Sequence, residues 1–198
     1  TAAVPDDYVI DPKRDRLVIV ASSLGTVFEW YDFFIYGPLA PVLPLPFFPA
    51  ENPTSAFLLT LAAFGAGFVV RPIGAVLFGV LGDKLGRKYT FLVTITLMGI
   101  ATAAVGMLPT YAQIGMAAPV LLVTCRLLQG LALGGEYGGA AIYVAEHAPQ
   151  NKRGFYTSFI QAGVIGGFLL SVAVVLISEW FVDRESWDSW GWRIPFLV

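Results

Sequence analysis

Five apolar runs dominate this chain, and each exceeds the roughly 18 residues that let a helix cross a bilayer. They span residues 17–42, 56–81, 89–108, 119–144 and 155–177. A sixth run opens at Arg193-Ile194-Pro195-Phe196 and has reached only Val198, where the sequence stops. Ile194, Pro195, Phe196, Leu197 and Val198 cannot cross a hydrocarbon core about 30 Å thick at about 1.5 Å per residue. The sequence also begins without Met, so it reads as a product incomplete at both ends. The expected class is therefore all-α: a polytopic bundle in which residues 1–16 form a polar tail and residues 17–198 hold five complete spans and the start of a sixth. Composition closes off the alternatives. Apolar residues make up 57% and charged residues 13% of the 198, the latter about half the soluble norm. A soluble domain this small exposes too much of itself to hide such a load, and the same figures exclude disorder. A net charge of −2 argues against nucleic acid, and the single Cys125 rules out an internal disulfide framework. The first run is not a cleaved leader, because it is long and carries Glu29 and Asp32 near its middle.

Loop cations set the expected orientation. Lys13, Arg14, Arg16, Lys84, Arg87, Lys88, Lys152 and Arg153 fall on one side, and Arg184 alone falls on the other. The N-terminus is then cytoplasmic, odd-numbered spans run outward, and the partner medium is the lipid of a plasma (inner) membrane.

Glu29, Asp32, Arg71, Arg126 and Glu136 lie inside the expected spans. A charge at mid-bilayer costs about 2.5–3.5 kcal/mol or more, so such groups turn inward and pair. A structural ion pair explains one such charge; five in one bundle point to a solute pathway. Depth along each span sorts them into two layers. Glu29, Arg71 and Glu136 lie about 15–18 Å above the cytoplasmic ends, with Asp32 and Arg126 further out. Three acids against two bases leave a surplus acid. In a low dielectric that acid favours its protonated form, so Asp32 or Glu29 can take up and release a proton. The two acids share a helix face at i, i+3. Trp30, Tyr31 and Tyr36 around them either line a cavity or serve as packing and interface residues.

Glycine spacing adds helix contact. Gly130, Gly134 and Gly138 repeat every four residues, widened by Gly135 and Gly139, and Gly163 and Gly167 repeat the pattern in the fifth run. Such stripes let backbones approach, either for static packing or as surfaces that slide. Pro72 directly after Arg71 removes a backbone donor, which predicts a kink beside the charge.

The second run exits into Gly79-Val-Leu-Gly-Asp83-Lys84-Leu-Gly86-Arg87-Lys88. Positive-inside signalling alone needs neither Asp83 nor the glycines. This loop resembles the Gly-x-x-x-Asp-Arg/Lys-x-Gly-Arg-Arg/Lys signature of the major facilitator superfamily. Arg126-x-x-Gln129-Gly130 resembles its fourth-helix motif, and Glu146-x-x-Pro149-x-x-x-Arg153-Gly154 its fourth-to-fifth loop in the sugar-porter-like branch. More narrowly, Phe28-Glu29-Trp30-Tyr31-Asp32-Phe33, Arg71-Pro72-Ile73-Gly74, Gly134-Gly135-Glu136-Tyr137-Gly138 and Trp190-Gly191-Trp192-Arg193-Ile194-Pro195-Phe196 resemble the metabolite:H⁺ symporter family. That resemblance covers about residues 17–198. It implies the N-terminal half of a twelve-helix, alternating-access symporter for organic acids or for zwitterions such as proline and betaine, with a second six-helix half as partner. It also implies proton coupling through Asp32 and Arg126, to which the surplus-acid argument adds Glu29. From the buried charges, the aromatics and the fourth-helix motif read above, the candidate substrate contacts are Arg71, Arg126, Tyr31, Tyr36, Gln129 and Glu136. An inner gate would use Asp83, Arg87, Lys88, Glu146 and Arg153, with Asp83 engaging the second half. No cofactor or metal is implied; the coupling ion that the resemblance implies is a proton.

Other functions remain at this point. An uncoupled facilitator would share the fold but gives the surplus acid no role. A membrane sensor or structural bundle would want an output domain. An enzyme would want a nucleophile or a second metal ligand near His147, the single histidine. No Gly-rich loop ending in Lys-Ser/Thr suggests ATP.

Overall fold

The computed structural model describes residues 24–48, 53–147 and 153–198, apart from the side chains of residues 87–88 and 136–147. Among the described residues the regular structure is entirely helical. The first run forms α1 over residues 24–34 and then breaks into turns, α2 (Tyr36–Leu39) and α3 (Pro44–Phe47). Pro38, Pro41, Pro44 and Pro46 are responsible: each lacks the N–H that a continuing helix needs. The run thus extends beyond the expected residue 42 as a helical cap, while its residues 17–23 lie outside the described part. Ile35, Leu39, Leu43 and Phe47 are fully buried in that cap.

The second run forms α4 (Pro53–Val69) and α5 (Arg71–Leu85), joined at Val70 with φ −85° and ψ −7°. The break falls beside Arg71-Pro72, where the missing proline donor predicts it. Together the two helices make a 33-residue candidate span, about 50 Å at the helical rise and longer than the bilayer core. The signature loop shrinks to one residue: Gly86 adopts φ +92°, a conformation open to glycine, and its N–H donates to the Gly82 carbonyl. The third, fourth and fifth runs form α6 (Arg87–Met107), α8 (Ala117–His147) and α9 (Arg153–Phe181), each slightly longer than the apolar run itself. Between α6 and α8 lies the short α7 (Tyr111–Ile114), started by a capping box between Thr110 and Gln113.

The loop after α9 is also ordered. Asp183 caps α10 (Arg184–Ser189) by accepting the Ser186 N–H at 3.0 Å. A 3-10 turn at Gly191–Arg193 leads into α11 (Ile194–Leu197). Arg193 Nη1 donates to the carbonyls of Gly106 and Leu108 at 2.8 and 2.7 Å, tying this turn to the end of α6. Trp187 and Trp192 are buried there, and Trp192 meets Phe47 edge to face at 5.4 Å.

The Ser186 N–H also holds the exposed Asp183 carboxyl below its ordinary value. A depressed carboxyl stabilises the fold above its unfolded value, about 3.9, and loses that contribution as pH falls through the folded value. Asp183→Ala is therefore expected to lower the melting temperature at neutral pH. Scanned by thermal unfolding, the gap to the wild type should close below about pH 4.

Helix α8 sits at the centre, against α4, α5, α6 and α9. Glycines permit this. A Cβ on Gly130 would overlap the Gly67 carbonyl, one on Gly134 the Arg71 carbonyl, and one on Gly74 the Leu131 carbonyl. The pairing advances by four residues on both helices, so α8 lies alongside α4–α5 in the same direction. Gly167 plays the same part between α9 and α1, against Val27 and Trp30. The outward faces remain apolar: Leu58, Val69, Ile73, Val76, Val80, Ile165, Leu169 and Leu176 are all exposed, as suits helices solvated by lipid.

Candidate functional site

Three helical segments aim aromatic and cationic side chains at one level of the bundle. Helix α1 contributes Trp30 and Phe33 at i, i+3, and the turn after it brings round Tyr36. Helix α4 contributes Phe64 and Phe68 at i, i+4, and Arg71 follows on the next turn. Helix α8 contributes Arg126 and Gln129. The Arg126 guanidinium lies over Tyr36, Phe33 and Phe64, at 4.1, 4.4 and 5.0 Å from the ring centroids. Arg71 lies over Phe33, Phe68 and Trp30, at 4.2, 4.3 and 4.9 Å. Phe33 therefore serves both cations. Each such contact is worth about 0.5–2 kcal/mol, which offsets part of the cost of a cation held away from water.

Arg126 is fully buried. Its Nη1 donates to Gln129 Oε1 at 2.8 Å and to the Phe33 carbonyl at 3.3 Å. Its Nε and Nη2 have no hydrogen-bond partner among the described residues, and the same two atoms of Arg71 have none. Nε–H and Nη2–H form one edge of a guanidinium, two parallel donors spaced for the oxygens of a carboxylate. Buried donors are almost always satisfied, so unfilled ones call for an explanation. An arrangement of this kind can receive a carboxylate on a two-point fork.

The structure brings some expected residues together and separates others. The two-layer expectation fails at its centre. The Arg71 backbone does lie deeper than that of Arg126, since it meets Gly134 while Arg126 lies by Gly67. Both side chains nevertheless converge on Phe33, because a long arginine side chain spans about a helical turn, some 5.4 Å. The expected direct pairing of Arg126 with an acid is replaced by the Phe33 carbonyl and Gln129. The described ion pairs are instead at the far end of α9, where Arg184 meets Glu179 at 2.8 Å and Asp188 at 3.5 Å. Asp32 is half-buried and Glu29 buried on α1. Tyr31 spends its hydroxyl on the Pro195 carbonyl, a 2.5 Å tether to α11. The Tyr36 ring lies under Arg126. Gln129 Nε2 donates to Thr102 Oγ1 at 2.7 Å, so both ends of its amide are engaged. Of the residues expected at a gate, Asp83 and Arg153 are exposed at helix ends. The side chains of Arg87, Lys88, Glu136 and Glu146 lie outside the described part. Phe64, Phe68 and Thr102 carry no motif, and Phe33 stands in one without a role of its own. The i, i+4 spacing of Phe64 and Phe68 on the arginine's own run is the signal that could have found the first partners.

Fold and site together define an integral membrane protein that encloses its polar chemistry inside a helical bundle. Residues 17–198 match the family model described as sugar (and other) transporter. The proline/betaine transporter of Salmonella typhimurium is 45% identical over 98% of this chain and 39% of its own length. The shikimate transporter of Escherichia coli is 47% identical over 98% and 44%, and the inner membrane metabolite transport protein YhjE of the same species 48% over 96% and 43%. The chain thus spans about two fifths of the length of these relatives. Among solved structures, a partially occluded, inward-open form of the xylose transporter XylE from Escherichia coli superposes with a TM-score of 0.81 at 22% identity, covering 92% of this chain and 46% of that one. The major facilitator superfamily proton:xylose symporter XylE bound to 6-bromo-6-deoxy-D-glucose gives 0.83 at 20%, covering 94% and 42%. The chain belongs to the sugar (and other) transporter family, with the fold of the N-terminal half of a major facilitator superfamily protein.

Proposed function

We propose that this chain forms the N-terminal half of a proton-coupled symporter for a small carboxylate, working by alternating access in a bacterial inner membrane. Residues 1–16 are the cytoplasmic tail, and residues 17–198 supply five spans and the start of a sixth. The observation that carries this reading is the Nε/Nη2 edge of the fully buried Arg126, which has no hydrogen-bond partner among the described residues. A cation enclosed in this way is costly unless an anion completes it. Shikimate, proline and betaine, the compounds named for the relatives, differ in shape and net charge but share one carboxylate. Arg126 and Arg71 grip that group, and the second six-helix half supplies the opposite wall. Tyr36 and Gln129 hold Arg126, Tyr31 fixes α1, and Glu136 adds polarity deeper in α8. Asp32, with Glu29, carries the coupled proton. Asp83, Arg87, Lys88, Glu146 and Arg153 form the cytoplasmic gate.

A zwitterionic substrate is the second reading. It is favoured by the proline/betaine relatives and by the two acids on α1, which would take the cationic end. One experiment separates the readings. Liposomes containing the full-length protein are loaded with a proton gradient and offered radiolabelled shikimate, proline and betaine. Accumulation of shikimate that a protonophore abolishes supports the organic-acid symporter. Accumulation of betaine alone selects the zwitterion. Flux of any of them that ignores the gradient would defeat proton coupling.

A further inference from the structure

Phe33 is held more firmly than the two cations it faces. Its ring is fully buried. Phe68 meets it edge to face at 4.7 Å, and Phe64 lies tilted against it at 5.5 Å. The α4 side leaves no slack: a Cβ on Gly67 would lie 3.2 Å from Phe33 Cε2 and 3.4 Å from Arg126 Nη2. An arginine side chain, by contrast, is long and rich in rotamers. The Nε and Nη2 atoms of Arg71 and Arg126 have no hydrogen-bond partner among the described residues, so no described hydrogen bond fixes the direction of either edge. Arg126 is held at Nη1, by Gln129 and by the Phe33 carbonyl, and one nitrogen is a pivot about which the plane can still swing. A ring face attracts a cation through its quadrupole, and so limits that swing. The Phe33 ring does this for both cations at once, at 4.2 Å from the Arg71 guanidinium and 4.4 Å from that of Arg126.

Resting on the symporter reading above, we propose that Phe33 is a positioning residue whose ring face aims the open edges of Arg71 and Arg126 at the substrate carboxylate. It acts through the two arginines rather than on the substrate. Phe33 belongs to α1, Arg71 opens α5 and Arg126 lies in α8, so one side chain ties three segments together at the level of the binding group. With the ring in place the two edges are set before the carboxylate arrives, and binding need not order two long side chains. With the attraction weakened, the guanidiniums sample more directions and the same carboxylate binds less tightly. The electrons of the ring do this, not its volume; an aliphatic side chain would fill the space and leave the cations unaimed. Phe64 and Phe68 are secondary, because each attends one cation: Phe64 faces Arg126 at 5.0 Å and Phe68 faces Arg71 at 4.3 Å.

Ring fluorines withdraw electron density from a phenyl face and change its size little. The full-length protein is prepared with phenylalanine carrying one, two or three ring fluorines in place of Phe33 and, in parallel, in place of Phe34. Phe34 is the control. It follows Phe33 in α1 and packs on the rings of Trp30 and Phe168 at 5.1 and 5.6 Å, and no guanidinium lies over it among the described residues. Equilibrium binding of radiolabelled shikimate, proline and betaine is measured without a proton gradient. For each compound that the wild type binds, the dissociation constant is expected to rise with every fluorine at Phe33, to about tenfold with three, and to stay within about twofold at Phe34. Phe33→Leu, which removes the ring, should weaken binding at least as much. Where three fluorines prevent recovery of monodisperse protein, the slope over one and two decides. A flat series at Phe33, tighter binding with added fluorine, or equal slopes at Phe33 and Phe34 would overturn the proposal. Should the wild type bind none of the three compounds, the melting temperature of the ligand-free protein reads the same attraction: it should fall stepwise at Phe33 alone, and a flat series overturns the proposal there too. Proton coupling does not enter these measurements, so they leave the symporter reading to the protonophore response of the wild type.

Discussion

Arg126→Lys is expected to cut carboxylate uptake at least about 30-fold per folded transporter, the lower end of what losing a buried charged contact costs. Lysine keeps the charge but not the geometry. Its ammonium is a compact point donor, whereas the guanidinium engages Gln129 and the Phe33 carbonyl with one nitrogen and leaves a two-donor edge open. A planar cation also stacks on Tyr36 and Phe33 at about van der Waals separation, 4.1 and 4.4 Å from the centroids; an ammonium reproduces this poorly. Initial uptake rates, normalised to monodisperse protein, check the expectation. Uptake close to wild type in Arg126→Lys would mean that charge alone matters and that the fork does not.

Gly130→Ala and Gly134→Ala carry the second large effect, on folding rather than transport. A single methyl at either position would occupy the space of a backbone carbonyl on the partner helix, and backbone cannot rotate aside as a side chain can. The helices must separate, and with them the anchorage of Arg71 and Arg126. We expect a loss of about 3 kcal/mol or more, the upper range for overpacked sites, seen as failure to recover monodisperse protein. Gly79→Ala and Gly99→Ala are the controls. A Cβ at either meets nothing within 4 Å, so these variants should stay within about 0.5 kcal/mol of the wild type. Equal recovery of all four would show that α8 does not pack on α4–α5 as described here.

Much of this architecture could be read in advance because lipid imposes a coarse rule. A spanning segment must satisfy its own backbone, so a long apolar run is a helix. The helices of the second to fifth runs, the break at Val70 beside Arg71-Pro72 and the tight turn at Gly86 follow from that rule and from proline and glycine chemistry. The end of the first run did not, because apolar composition continues through Pro38 to Pro46 while the helix cannot. Depth along a helix located the arginine backbones but misplaced their side chains. Depth is a property of Cα positions, whereas Arg71 and Arg126 meet through side chains that bend towards a shared ring. Charge counting likewise directed attention to acids as partners. Among the described residues, Arg126 meets aromatic faces, a backbone carbonyl and an amide, and Arg71 meets aromatic faces. Thr102 was invisible for a related reason. One threonine in an apolar helix looks like any other until a second helix decides where its hydroxyl can point.

The central claim, that the open Arg126 edge exists to receive a carboxylate, is tested most directly by equilibrium binding to the purified full-length protein. The pair to compare is a radiolabelled carboxylate that the protein transports and its uncharged carboxamide, identical in every other atom. A two-point fork predicts that the carboxylate binds at least about 30-fold more tightly, and that Arg126→Lys removes most of the difference. Equal affinity for acid and amide in the wild type would contradict it.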